Sequence, residues 1–580
     1  MELIFIDWIF IALYIFIALY IGFRYRSRAG KDLASYFLGG RKLPWFIAGI
    51  SMVATTFAAD TPLAVTEMVS NNGISGNWLW WNMLIGGMLT AFFFADLWRK
   101  ANVLTELEFI EIRYSGKPAA FLRGFKSIYL GLFVNVLIIS WVNLALISIL
   151  QVFFNISDTN ILWYVGGAML IASFYSSLSG LLGVAITDAI QFVIAITGSV
   201  VLAVVILSTE KVGGLTGLQE QLPDWAFNFF PKIGKGGNLT NALTISVGTF
   251  LAYIGVQWWA SWYPGAEPGG GGYVAQRMMS VKNEKHATWA TLFFQIAHYV
   301  VRPWPWILVA LATLILYPDL PEGQERLGYV MAIRDYLPAG LTGLMIVALL
   351  AAYMSTISTQ LNWGASFIVN DFYKRFIHRG KNEKDEGKHF VLAGRIVTML
   401  IMVIALYITT IVESITQVWH FLLECGAGLG LVLILRWYWQ RINAWSEITA
   451  TAVPFIVYAV AKFGLNLEFP GSFFITVGIT TISWIIVTFL TPMTKHQTLK
   501  EFYYRVQPPG IWNIDREIRL EKNKRIPKML MCWLGGIMFT YSALFLSGKL
   551  LFGEWVSAGI WLTTMLVGFF IVKLNIKGLY

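Results

Sequence analysis

The sequence predicts an all-α polytopic membrane protein of about fifteen spans, ten of them in two inverted five-helix repeats. Three observations lead there. Hydrophobic residues make up 57% of the 580 and charged residues 13%, with a mean hydropathy of +0.63. That balance belongs to multi-span membrane proteins and excludes an ordinary soluble domain. The apolar residues fall into runs long enough to cross a bilayer. One of these runs is interrupted midway and another ends in a run of proline and glycine, and four unbroken runs lie between them.

Taken in order, residues 1–43 hold a first run at 4–23 and a basic loop. The run has no basic segment ahead of it and is followed at once by Arg24, Arg26 and Arg28, so it reads as a retained anchor and not a cleaved signal. The first repeat, 44–208, contains the runs 44–68, 77–98, 124–154, 160–178 and 183–208. An outer loop follows at 209–241. The second repeat, 242–435, contains 242–262, 287–317, 339–372, 390–411 and 415–435. Residues 436–580 add the runs 446–463, 471–491, 528–547 and 554–573, with a basic cytoplasmic loop at 492–527. Loops 209–241 and 318–338 are the longest outer ones and are candidates for lids.

Charge sets the orientation. With the N-terminus outside and the C-terminus inside, Lys and Arg favour the inner loops by about five to one. The net charge of +10 is then a topogenic signal facing anionic membrane lipid. A nucleic-acid role would need a soluble basic surface. The expected location is the cell membrane, the inner one if the source is Gram-negative, and no obligate protein partner is evident. Cys425 and Cys532 both fall within apolar runs, which offers neither a disulfide framework nor a thiolate metal site.

The two interruptions are chemically distinct. Ala-Ala-Asp-Thr-Pro at 58–62 places an acid and a proline in mid-membrane. Tyr-Pro-Gly-Ala-Glu-Pro-Gly-Gly-Gly-Gly at 263–272 ends the run 242–262. Irregular backbone at membrane depth is tolerated only where it lines a cavity or is packed in protein. A broken helix opening each set of five points to an inverted repeat with the solute between the halves. The glycine run lacks the Gly-Lys-Ser/Thr of a phosphate loop and reads as a flexible turn at a helix end.

Asp188 lies in the apolar run 183–208, where a carboxylate costs roughly 2.5–3.5 kcal/mol unless compensated. Ser355, Thr356, Ser358 and Thr359 cluster in another run. An acid and hydroxyls offer oxygen ligands only, which suit a hard cation. Packing and interhelical hydrogen bonding are the alternative use of such hydroxyls.

Several ordered pieces resemble the sodium:solute symporter family, which has a LeuT-like fold. They are Phe-Leu-Gly-Gly-Arg at 37–41, Leu-Pro-Trp at 43–45, Ser51 to Asp60, Thr-Glu-Leu-Glu-Phe at 105–109 and Arg113-Tyr114. Thr187-Asp188 with Gln191, Gln276-Arg277, Ala352 to Asn362, Asp371-x-Tyr373 and Arg441 to Trp445 complete the set. The resemblance covers about residues 5–445. It implies a sodium site made by the carbonyls of Ala54, Phe57 and Ala352 and the hydroxyls of Ser355 and Thr356. Positions 352, 355 and 356 share one helix face. It further implies a second sodium held by Asp188, Ser358 and Thr359, with Ser355 as a shared ligand, and hence two sodium ions per cycle.

The expected function is sodium-coupled symport of a small polar organic solute by alternating access. Candidate solute contacts are Asp60, Thr61, Asn82, Gln257, Trp258, Arg302 and Glu424, with Trp80, Trp81, Trp259 and Trp262 available to stack on a sugar ring. Arg302, in Val-Val-Arg-Pro-Trp-Pro-Trp, either holds a substrate carboxylate or pairs with Asp60, Glu267 or Glu424. The aromatic residues suit a sugar, and Arg302 with Asn82 suits an organic acid. Proton coupling through Asp60 or Asp188, and a solute sensor of the same architecture, are the alternatives. Membrane enzymes present histidine clusters, metal-bound acid pairs or a nucleophile–base dyad. His298 and His420 have no such partners in the sequence, so an enzyme is not expected.

Overall fold

The computed structural model describes residues 3–29, 33–56, 58–233, 244–245, 247–378 and 383–579. Their regular secondary structure is helical apart from a two-residue parallel pairing, Lys232–Ile233 with Thr244–Ile245, and isolated bridges of Leu43 with Val281 and Trp439 with Ile511. Among the described residues, eleven helices are long and apolar enough to cross a membrane. Two bent pairs, Trp45–Thr55 with Asp60–Asn72 and Ile415–Cys425 with Leu429–Tyr438, raise the number to 13. Three expected runs differ. Runs 160–178 and 183–208 lie in one helical element, Asp158–Leu207. At about 1.5 Å per residue that element is far longer than one bilayer crossing, and its apolar stretches are Thr159–Phe174 and Leu181–Leu207. Run 242–262 is only a short helical stretch, Val247–Leu251, Ala252–Gln257 and Trp258–Ala260.

Both expected interruptions are present. The first broken helix stops at Thr55, turns by 56° and resumes at Asp60. Pro62 sits in the first turn of the second half, where its missing N–H costs nothing. The second stops at Ala260 and resumes at Gly272. Its glycine run is packed and not a flexible turn. Gly269, Gly270 and Gly272 have φ of +81°, +73° and +56°, and Trp98 Nε1 donates to Gly269 O at 2.9 Å. A Cβ on Gly270 would lie 3.0 Å from both Thr90 and Trp98. Glycine is required there because the backbone is left-handed and has neighbours on every side.

The irregular peptides of this second break pair with those of the bent pair at 425–429. Trp262 N donates to Gly426 O at 3.2 Å, and Gly428 N donates to Ala260 O at 2.9 Å. Backbone groups freed from two helices thereby satisfy one another at membrane depth.

The N-terminal helix Phe5–Ala29 is tied to the core by Asp7, whose Oδ1 accepts from Gly340 N and Gly343 N at 2.8 Å each. The final pair, Ile526–Leu551 and Trp555–Ile576, cross closely at Gly535 and Gly568. They dock through Trp533 to Ile85 O and Tyr541 to Trp81 O. The stretch expected as a loop at 492–527 carries two helices, His496–Val506 and Arg516–Asn523. Phe502, Tyr503, Val506 and Trp512 are buried, and Arg113 lies over the Phe502 and Trp512 rings. Charge at the other positions masks this amphipathic pattern in the sequence.

The expected outer loops are also packed in part. Gly214–Gln221 and Leu327–Tyr336 are helical, Tyr329 is buried, and Trp78 Nε1 donates to Phe229 O.

Candidate solute cavity and sodium sites

A cavity of about 90 Å³ lies between the two breaks. Asp60 and Thr61 from the first break and Tyr263, Gly265 and Tyr273 from the second face each other across it. The rest of its lining combines aromatic side chains, Trp80, Trp141, Phe294, His298, Tyr299 and Trp419, with aliphatic ones and with the polar Thr55, Thr56, Thr356 and Gln360. Trp80 stacks on Tyr299, with centroids 5.5 Å apart and planes at 22°, and Tyr263 meets Trp419 edge-on at 6.1 Å. Of the expected solute contacts, Asp60 and Thr61 line this space, as does Trp80.

The others lie elsewhere. Asn82 donates to Trp78 O and Leu79 O on its own helix. Gln257 donates to Leu79 O, Trp258 to Ile254 O, and Glu424 accepts from Ser472 at 2.7 Å. Each answers a local backbone or side-chain demand that hydropathy does not reveal.

Arg302 stands behind the cavity wall, fully buried at 0% exposure, with its guanidinium 4.9 Å from the Trp306 ring. It donates to Val53 O at 3.2 Å, Thr56 O at 3.0 Å and Thr56 Oγ1 at 3.1 Å. It also reaches His298 Nδ1 at 2.6 Å. A guanidinium has no acceptor, so Nδ1 accepts and the histidine proton sits on Nε2. These contacts cap the first half-helix, where unpaired carbonyls and the negative dipole end coincide. A π-helical stretch, Ala297–Val301, followed by Pro303 at the helix start, brings Arg302 to that end. Capping is a role outside the two expected for it.

Below the cavity the hydroxyl cluster closes around Asp188, which is 1% exposed. Ser51 Oγ donates to Oδ2 at 2.6 Å and Ser355 Oγ to Oδ1 at 2.5 Å. Arg277, 0% exposed, approaches Oδ2 at 3.8 Å and donates to Ser51 Oγ, Thr55 Oγ1 and Thr359 Oγ1. Thr356 Oγ1 donates to Thr55 O at 3.4 Å, and Ala352 is buried one turn before Ser355 and Thr356. Ser358 donates to Ser355 O in its own helix. The expected residues Asp188, Ser355, Thr356 and Thr359 therefore meet. Ser51, Thr55 and Arg277 join them. Their signal was legible in part, since Ser51 and Thr55 are hydroxyls four apart, on one face of an otherwise apolar helix. Phe57 lies outside the described residues. The carbonyl that meets Thr356 is that of Thr55, one residue after Ala54.

The chain is similar to known proteins along most of its length. A sodium/glucose cotransporter of Vibrio parahaemolyticus is 25% identical over 483 residues, spanning 78% of this chain and 85% of its own. A sodium/proline symporter of Staphylococcus saprophyticus is 24% identical over 474 residues, 78% of this chain and 86% of its own. In three dimensions the chain resembles a Na+-coupled sialic acid symporter solved in a substrate-bound outward-open state. That match has a TM-score of 0.65 and 20% identity over 85% of this chain and 99% of the other, a likeness of fold. The model of the sodium:solute symporter family matches residues 36–451. With apolar helices, two broken spans and an oxygen-lined junction between them, this polytopic membrane chain belongs to the sodium:solute symporter family.

Proposed function

We propose that the chain is a sodium-coupled symporter of the cell membrane that imports a small polar organic solute, a sugar or an organic acid, by alternating access. It would have a LeuT-like pair of inverted repeats at 44–208 and 242–435, an outside N-terminus and two sodium ions per cycle. The observation that carries the reading is the contact of Thr356 Oγ1 with Thr55 O. It brings the hydroxyl face of Leu341–Ser366 to the open end of the first broken helix, so neutral oxygens of both converge beside the solute cavity. Neutral oxygen ligands bind an alkali cation weakly enough to release it. Sodium there favours one arrangement of the break, and the solute favours the same one, which makes the coupling reciprocal.

The second sodium would bind at Asp188 with Ser355, Ser358 and Thr359. Arg277 neutralises Asp188 in the present arrangement, so a cation entering there has to displace the guanidinium. That exchange offers a way to link ion occupancy to movement of the Gly272–Ser280 half-helix that carries Arg277.

Thermal unfolding of the purified protein tests the reading. Sodium chloride should raise the melting temperature above that in potassium chloride at equal ionic strength. The Ser355→Ala/Thr356→Ala double variant should lose that difference. Equal melting in both salts for the wild-type protein, or a sodium effect that survives the double variant, would overturn it.

A further inference from the structure

The cavity is unequal in its chemistry. Asp60 is 3% exposed, and its Oδ1 has no hydrogen-bond partner among the described residues. Gln360, on the same wall, leaves Oε1 unpaired, and Trp419 Nε1 is an unpaired donor on the wall. Arg302 is not part of the lining; its N–H groups are engaged with Val53 O, Thr56 and His298, and its charge acts on Asp60 from behind the wall. A carboxylate oxygen in a largely apolar enclosure is costly unless a donor or a positive charge meets it. Aromatic faces around the same space attract a cation through their quadrupoles. A volume near 90 Å³ corresponds to about three water molecules, so the occupant in this arrangement is small.

We infer that the solute carries a cationic nitrogen, a protonated amine or a quaternary ammonium, which docks on Asp60 between Trp80, Trp141, Tyr263 and Trp419. The inference rests on the symporter reading, because it takes the cavity between the breaks as the solute site. It narrows that reading, since a plain sugar or acid offers Asp60 only a hydroxyl donor, whereas a cationic nitrogen brings both the donor and the opposite charge. Arg302 lets this happen by capping the half-helix before the break, which leaves Asp60 as the acid facing the cavity.

The test compares charged probes with neutral probes of the same shape, in saturating sodium chloride. Protonated 2-aminoethanol is set against ethane-1,2-diol, and pyrrolidinium against tetrahydrofuran, with D-glucose and L-lactate alongside. The charged member of each pair should raise the melting temperature of the wild-type protein and bind at least tenfold more tightly in calorimetry. Asp60→Asn should lose that shift while keeping the stabilisation by sodium, which also shows that the variant folds. Equal response to both members of a pair, or stabilisation by glucose or lactate alone, would overturn the inference and leave the symporter reading intact. An Asp60→Asn protein that loses its sodium response would reassign Asp60 to the ion site, which also overturns it. Absence of any sodium effect in the wild type would instead remove the symporter reading itself.

Discussion

Arg302 is the residue whose sequence and structural readings differ most. A buried guanidinium in a transporter invites a substrate carboxylate or an acidic partner. Here its N–H groups answer the open carbonyls of a half-helix, a demand created by a break two hundred and more residues away in the chain. Such a demand leaves no local trace, so residue type and depth were legible and the partner was not. Arg302→Lys replaces a planar fork by a point charge. The substitution should lower stability by about 1.5–3 kcal/mol, the worth of a charged hydrogen bond, read as a fall in melting temperature. Unchanged melting would remove the capping role. Asp188 is the converse case. Its depth singled it out; of the hydroxyls expected around it Ser355 donates to it directly, while Ser51 and the counter-charge Arg277 were unforeseen.

At the scale of elements, the breaks were legible because Pro, Gly and Asp are unmistakable in apolar runs. Their packing was not, because it depends on which glycine faces which backbone. A Cβ on Gly430 would lie 2.2 Å from Trp259 O, so Gly430→Ala should destabilise by about 1–3 kcal/mol through overpacking, measurable by chemical or thermal melting. The family-like pieces at 105–109 and 371–373 also acquire a physical meaning here. Arg123 bridges Asp371 at 2.6 Å and Glu111 at 2.5 Å, Arg375 reaches Glu111 at 3.0 Å, and Thr105 donates to Asp371. This network fastens the Glu108–Arg113 and Gly116–Ile128 helices to the end of a long helix about 250 residues further along the chain. Partial burial pushes Glu111 up, yet hydrogen bonds from Arg375 and Arg123 outweigh it and hold the carboxyl below its ordinary value. A depressed folded-state pKa means that the stabilisation is in place above the unfolded value of about 4.3 and is lost as pH falls through the folded one. Wild-type protein should therefore lose more stability than Glu111→Gln on acidification from pH 6 to below pH 4. Parallel losses would show that Glu111 contributes nothing.

For the molecule as a whole, hydropathy was enough to predict a many-span helical protein and nearly all of its apolar segments. It could not show that 492–527 folds back, because the alternation of aromatic and charged residues there averages to a polar loop. The positive-inside bias gives a sidedness that thiol labelling checks. Cys425 and Cys532 are buried, so a single introduced cysteine reports on one face. Glu322→Cys, exposed in a loop that this bias assigns to the outside, should react with an impermeant maleimide on intact cells. Glu521→Cys, also exposed, should react only after permeabilisation. The reverse pattern would invert the assigned orientation.

The cross-pairing of Trp262 with Gly426 and of Ala260 with Gly428 bears on how such a molecule changes shape. Each kink holds the loose ends of the other, like two halves of a clasp. Neither can swing alone without stranding amides in an environment that gives them nothing else to bind. The predicted outcome is that these two hinges travel together as one stiff body, leaving the Thr55–Asp60 turn and its neighbours to supply the flexing.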